Sequence, residues 1–174
     1  LPLEEVVRVA DIITFHTPLD KTTYHLINDD IISLMRPDAT IINASRGEVA
    51  DTAALLKAGQ TLLLDVWENE PTINSELLQK ALITTPHIAG YSAQGKANAT
   101  AAVVAAAAER FSLPLKGWYP EQVKPATREP ISWEEMCSTI EKYCPLMEQS
   151  EELKSHPEEF ESLRNNYSYR EEYF

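Results

Sequence analysis

The chain has 174 residues, of which 44% are hydrophobic and 24% charged, the balance of an ordinary globular protein rather than a disordered one. Its net charge of −12 argues against non-specific nucleic-acid binding, which needs a basic face. No apolar run is long enough to cross a membrane and no signal-peptide pattern opens the chain, so a cytoplasmic protein is expected.

Leu1–Val9 reads as the end of a helix, because Leu3, Val6, Val7 and Ala10 follow helical spacing. Asp11–Phe15 is a short, β-rich apolar run and reads as a buried strand, stopped at His16-Thr17-Pro18-Leu19 by the proline. A helix is expected from Asn28 to Met35 with acids in its first turn, then a turn at Pro37-Asp38 and a strand over Thr40–Ala44. Ser45-Arg46-Gly47-Glu48 is a loop, and Asp51 caps a helix closed by Gly59. A third strand covers Thr61–Val66, a loop Trp67–Pro71, a helix Asn74–Ala81, and a fourth strand Leu82–Thr84.

Continuous apolar strands alternating with helices are the pattern of a parallel α/β sheet covered on both faces. The expected fold class is therefore α/β, a doubly wound, Rossmann-like arrangement. Ala93–Phe111 reads as a helix dominated by alanine, whose small side chains suit close packing between domains. Beyond Gly117 the chain carries 13 acidic and 6 basic residues, and Pro120, Pro125 and Pro130 mark an extended linker. Ser132-Trp-Glu-Glu135 is a capping box that opens a helix, and Pro157 begins another through Leu163. The end, Leu163–Phe174, mixes aromatics with arginines, a composition that favours an interface. Two domains are expected, 1–117 and 118–174, the second a small α+β dimerisation element. Cys137 and Cys144, seven apart in an expected helical segment, are too distant for a disulfide in a regular helix; reduced thiols and no metal site are expected.

In a parallel sheet, ligands bind beyond the carboxyl ends of the strands. The loops there hold Thr17, Arg46, Asp65 with Glu70, and His87. Taken singly, Arg46 reads as a surface ion pair, Glu70 as a turn residue beside Pro71, and His87 as a capping or surface histidine. Together they make chemical sense. A guanidinium clamps a carboxylate through two parallel hydrogen bonds. A carboxylate against one imidazole nitrogen fixes the tautomer and favours the charged ring. The histidine then takes a hydroxyl proton while the carbon beneath gives up hydride.

Four strings carry a resemblance: His16–Leu19 (His-Thr-Pro-Leu), Ile41–Gly47 (Ile-Ile-Asn-Ala-Ser-Arg-Gly), Leu64–Pro71 (Leu-Asp-Val-Trp-Glu-Asn-Glu-Pro) and Pro86–Gly90 (Pro-His-Ile-Ala-Gly). In this order they resemble the NAD-dependent D-2-hydroxyacid dehydrogenases. Gly90-Tyr91, Gly95-Lys96 and the tail with Leu163–Tyr167 and Tyr169-Arg170 are similar to the erythronate-4-phosphate dehydrogenase subfamily, including its C-terminal dimerisation domain.

The resemblance implies that residues 1–117 are the C-terminal half of an NAD-binding domain. It implies Arg46 as the carboxylate clamp and Glu70 paired with His87 as the acid/base. Thr17, Ala44, Ser45, Arg46, Asp65 and Gly90 would line the nicotinamide end of NAD, and Tyr91 would touch substrate. The implied reaction is oxidation of 4-phospho-D-erythronate at C2 in pyridoxal phosphate biosynthesis, by a homodimer paired through 118–174. A phosphoglycerate- or glyoxylate-type dehydrogenase, or a non-catalytic NAD-sensing corepressor, stand as alternatives. The chain has no Gly-x-Gly and starts without methionine, so a C-terminal portion of a longer enzyme, weak in NAD binding alone, is expected. Arg164 or Arg170 is expected to reach a neighbouring subunit's substrate phosphate.

Overall fold

The computed structural model describes residues 1–126 and 130–172. Residues 127–129 of the expected linker, and Tyr173 and Phe174 of the aromatic tail, lie outside the described residues. The chain divides into two compact units: Leu1–Ala89 with Leu146–Asn166, and Gly90–Pro145 with Tyr167–Phe174.

The first unit is built on four parallel strands in sequential order: β1 (Ile12–Phe15), β2 (Thr40–Asn43), β3 (Thr61–Leu64) and β4 (Ile83–Thr84). The register pairs Ile13 with Ile41, Ile41 with Leu62, and Leu64 with Thr84, so every strand ends at the same rim. Connections run through α2 (Asp29–Leu34), α3 (Thr52–Lys57) and α4 (Ser75–Lys80), while α1 (Leu3–Val9) precedes β1. Asn28, Asp51 and Asn74 cap the three connecting helices through their side chains. Phe15, Ile41, Leu62, Leu64, Leu77 and Leu78 are buried in one core cluster. The expected α/β class with a parallel sheet is what the chain adopts; the strands are one or two residues shorter at their ends than expected, as boundaries usually are.

The expected division at 117/118 is not the one the fold makes. Residues Leu146–Asn166 return to the first unit as α7 (Leu146–Ser155), a 3₁₀ turn (Pro157–Glu159) and α8 (Phe160–Asn165). α7 packs against β4, where Leu153 and Phe160 join the core. The Thr84 amide donates to the Ser150 hydroxyl at 3.0 Å, and Lys154 donates to the Ala81 carbonyl at 2.7 Å. A buried edge strand needs partners for its amides, and Ser150 supplies one. α7 had no place among the expected elements: Pro145 ends the preceding helix and a new one starts at the next residue.

The second unit contains α5 (Ala93–Phe111) and α6 (Trp133–Tyr143). Ser92 caps α5 by accepting from the Gly95 amide, and Ser132 caps α6 at Glu135, as the capping box predicts. In α5, Gln94, Ala97 and Ala108 are buried and Val103 is 70% exposed. Its alanines favour the helical backbone itself. Residues 118–172 are not α+β; their described part forms helices, with a single isolated bridge from Arg170 to Ser92. That bridge is held by the Ala93 amide donating to the Arg170 carbonyl at 2.9 Å and the Arg170 amide donating to the Tyr91 carbonyl at 3.3 Å; beside it the Glu172 amide donates to Gln94 Oε1 at 2.8 Å. Glu171 and Glu172 also accept from Gln94 and Ser92.

Candidate active site

The loops at the carboxyl rim of the sheet enclose a cavity of about 310 Å³ in the first unit, lined by Leu19, Arg46, Gly47, Glu48, Trp67, Asn69, Glu70 and His87. Each wall is set by a short-range device that follows from the residues present.

At the end of β2, Asn43 is buried and bends the chain with its side chain. Its carbonyl oxygen accepts from the Ser45 amide at 3.1 Å and the Ser45 hydroxyl at 2.8 Å, and its amide donates to the Arg46 carbonyl at 2.9 Å. Arg46 is left exposed, with Nη1 donating to the Ser45 carbonyl at 2.6 Å and no ion pair among the described residues. An uncommitted cation on a cavity wall is suited to an anionic group. Gly47 makes the next wall possible. A Cβ there would lie 2.0 Å from the backbone of Trp67, so only glycine lets the loops after β2 and β3 cross.

After β3, Trp67 is buried and its indole N–H donates to the Thr85 carbonyl at 3.0 Å. Glu68 is held between the Thr52 amide and the His25 ring, each at 2.8 Å. Burial opposes ionisation of Glu68, but hydrogen bonds from Thr52 and His25 outweigh it and hold the carboxyl below its ordinary range. Asn69 follows in the left-handed region, with φ of 62°, and the Glu70–Pro71 peptide is cis. These turns deliver Glu70, whose Oε1 accepts from the Trp67 amide at 2.9 Å.

After β4, Asp65 organises the histidine turn. Its buried carboxylate accepts from Thr85 Oγ1 at 2.6 Å, the Ile88 amide at 2.7 Å and the Ala89 amide at 3.0 Å. His87 adopts φ of 59°, uncommon for a residue with a side chain and typical of functional turns. Its Nδ1 lies 2.8 Å from Glu70 Oε2, with the two side chains 24% and 17% exposed. An ionised carboxylate only accepts, so the proton of the neutral ring sits on Nδ1 and Nε2 keeps a free lone pair. The pair can therefore accept one proton at Nε2.

Arg46, Glu70 and His87, expected to act together, line one cavity. Thr17 follows β1, and its buried Oγ1 has no hydrogen-bond partner among the described residues. Ala44 and Ser45 lie in the loop after β2; Ser45 is committed to Asn43. Gly90 and Tyr91 belong to the second unit, where Tyr91 meets Tyr167 and Tyr169 edge-on and Lys96 sits 4.3 Å over its ring. Two residues were not singled out from the sequence: Asn43 and Glu68 stand inside the motif strings with no role assigned, and only their contacts show their work. Arg164 on α8, expected to reach a neighbouring subunit's substrate phosphate, has its Nη1 3.8 Å from Glu70 Oε2 of its own chain.

Residues 1–89 match the family model described as D-isomer specific 2-hydroxyacid dehydrogenase, NAD binding domain. An erythronate-4-phosphate dehydrogenase of Bacteroides thetaiotaomicron is 44% identical over 98% of this chain and 51% of its own length. One from Cronobacter sakazakii is 39% identical over 98% and 50%, respectively. The chain thus spans about half the length of the curated relatives it matches. Among solved structures, D-lactate dehydrogenase from Aquifex aeolicus, complexed with NAD and lactic acid, aligns with a TM-score of 0.52 at 28% identity, over 72% of this chain and 45% of that one. No helix among the described residues is long and apolar enough to cross a membrane. On its sheet, its rim and its matching sequence, the chain belongs to the D-isomer specific 2-hydroxyacid dehydrogenase family.

Proposed function

We propose that the chain supplies the acid/base and carboxylate-binding half of an NAD-dependent dehydrogenase that oxidises 4-phospho-D-erythronate to (R)-3-hydroxy-2-oxo-4-phosphooxybutanoate, in pyridoxal phosphate biosynthesis. The observation that carries the reading is the 2.8 Å contact between His87 Nδ1 and Glu70 Oε2 on a cavity that Arg46 also lines. The name shared by the curated relatives supports the choice of substrate.

In this reading Arg46 holds the substrate carboxylate and, with it, the oxygen at C2. His87 Nε2 takes the C2 hydroxyl proton while hydride leaves C2, so the carbinol becomes a carbonyl. Glu70 stabilises the imidazolium so formed and keeps the ring in its reactive tautomer. NAD, when bound, accepts the hydride. Its nicotinamide end would be held by Thr17, Ala44, Ser45, Arg46, Asp65 and Gly90, and the unpaired hydroxyl of Thr17 fits such a role. The Asp65 carboxylate accepts from Thr85, Ile88 and Ala89 of the histidine turn, so its share is to place that turn beneath the ring. No Gly-x-Gly occurs in these 174 residues to cradle the pyrophosphate. Tyr91 would contact the substrate.

The active form is a homodimer paired through residues 118–174, where Trp118 and Trp133 are exposed. Light scattering would give the mass, and a monomer at working concentration would remove this part of the proposal. For the activity, kcat/KM of the full-length enzyme is compared across 4-phosphoerythronate, 3-phosphoglycerate and unphosphorylated D-hydroxyacids. Preference for the four-carbon phosphorylated acid is expected. Preference for an unphosphorylated acid, or NAD-dependent partner binding without turnover, overturns it.

A further inference from the structure

We infer that Arg164 is a positioning residue for the Glu70–His87 pair: a cation brought by the C-terminal helix α8 that holds the Glu70 carboxylate and offsets part of its charge. The inference rests on the reading of that pair as the acid/base.

The placement is built rather than incidental. α8 is short and would not hold a position by itself, but Phe160 at its start is 1% exposed and Leu163 packs against the same core. α7 before it is pinned to β4 through Ser150 and Lys154. This anchored segment carries Arg164 to the rim, where Nη1 lies 3.8 Å from Glu70 Oε2, the same oxygen that meets His87 Nδ1 at 2.8 Å. The arginine side chain is 34% exposed and makes no other ion pair among the described residues. Its buried Nε has no acceptor among the described residues. Its charge is thus not spent elsewhere, and Glu70 is the group it faces.

Two consequences follow from electrostatics. With Oε1 held by the Trp67 amide and Oε2 between His87 and Arg164, the carboxylate has donors on both oxygens and one orientation. The arginine also cancels part of the field that Glu70 exerts on the imidazole. Around this carboxylate stand His87 from the turn after β4 and Arg164 from α8; Arg46 and Glu48 share the cavity from the loop after β2. Removing only Arg164 leaves the negative charge of Glu70 uncompensated, so the protonated ring gains and the unprotonated ring, needed to accept the substrate proton, is reached at higher pH. A unit charge removed at this range in a partly solvated site shifts such a limb by on the order of half a pH unit.

The test uses the full-length protein as wild type, Arg164→Gln and Arg164→Lys. The kcat/KM profile of Arg164→Gln is expected to have its acid limb displaced upward by about half a pH unit, with Arg164→Lys close to wild type because the charge is retained. The C2 resonance of the His87 ring, followed by NMR without substrate, should move in the same direction. Superimposable profiles and resonances for all three proteins overturn the inference. An equal displacement in both variants also overturns it, since packing and not charge would then be the cause. If the wild type shows no His87-dependent turnover, the proposed function fails, and the NMR titration alone still decides the role of Arg164.

Discussion

Glu70 and His87 meet at 2.8 Å although each reaches the other from a backbone turn of unusual conformation, Asn69 at φ 62° before the acid and His87 itself at φ 59°. Two left-handed residues flanking one hydrogen bond indicate a geometry held by its surroundings, here the Asp65 carboxylate and the Trp67 amide. Removing the ring should be the most damaging change at the site. His87→Ala in the full-length enzyme is expected to lower kcat by about 10²–10⁴-fold, and Glu70→Gln by less, because the amide still accepts from Nδ1 but carries no charge. Steady-state kinetics with the phosphorylated hydroxyacid check both.

Arg46 is expected to act on binding. Arg46→Lys keeps the charge but loses the planar fork, so KM for the hydroxyacid should rise about tenfold or more, equivalent to about 1.4 kcal/mol. Thermal stability should hardly change, since the guanidinium makes only the Ser45 carbonyl contact within the chain. A KM equal to that of the wild type would remove Arg46 from the carboxylate site.

Gly47 tests the crossing of two loops. An alanine methyl would meet the Trp67 carbonyl carbon and oxygen at 2.0 Å, where backbone and not a flexible side chain must yield. Gly47→Ala should destabilise by about 1–3 kcal/mol, as overpacking does, and lower kcat as the Glu70 loop is displaced. Urea titration with kinetics on the same samples measures both.

The returning C-terminal segment makes a stability prediction of its own. Phe160→Ala, at a fully buried position, should cost about 3–5 kcal/mol. Ser150→Ala leaves the Thr84 amide without its acceptor, at about 1–3 kcal/mol. If 146–166 were a detached appendage, neither change would alter unfolding of the sheet, which near-ultraviolet circular dichroism around Trp67 would report.

Glu68 gives a pH dependence. Its carboxyl is held below its ordinary range when folded, since hydrogen bonds from Thr52 and His25 exceed the opposing effect of burial. Stability from such a group is fully present above its unfolded pKa of about 4.3, and is lost as pH falls through the lower folded value. The gap in Tm between wild type and Glu68→Gln should therefore be widest near pH 6 and narrow towards about pH 3. A constant gap would assign the effect to shape alone.

Sequence by itself determined the parallel sheet and the rim. Apolar runs such as Thr40–Ile42 and Leu62–Leu64 are too continuous for a half-exposed strand, and helix caps at Asn28, Asp51 and Asn74 punctuate them. Because strands of one parallel sheet end together, Arg46, Glu70 and His87 were legible as a set before any coordinate. Tertiary structure alone decided what holds them. That Asn43 and Asp65 spend their polar groups on turns, that Gly47 passes under Trp67, and that residues 146–166 return to cover β4 are all matters of contact between distant segments. Local propensity carries no information about which surface a segment covers, so by sequence residues 146–166 fall within the appended stretch 118–174. Their folding back onto the sheet is what puts Arg164 beside Glu70.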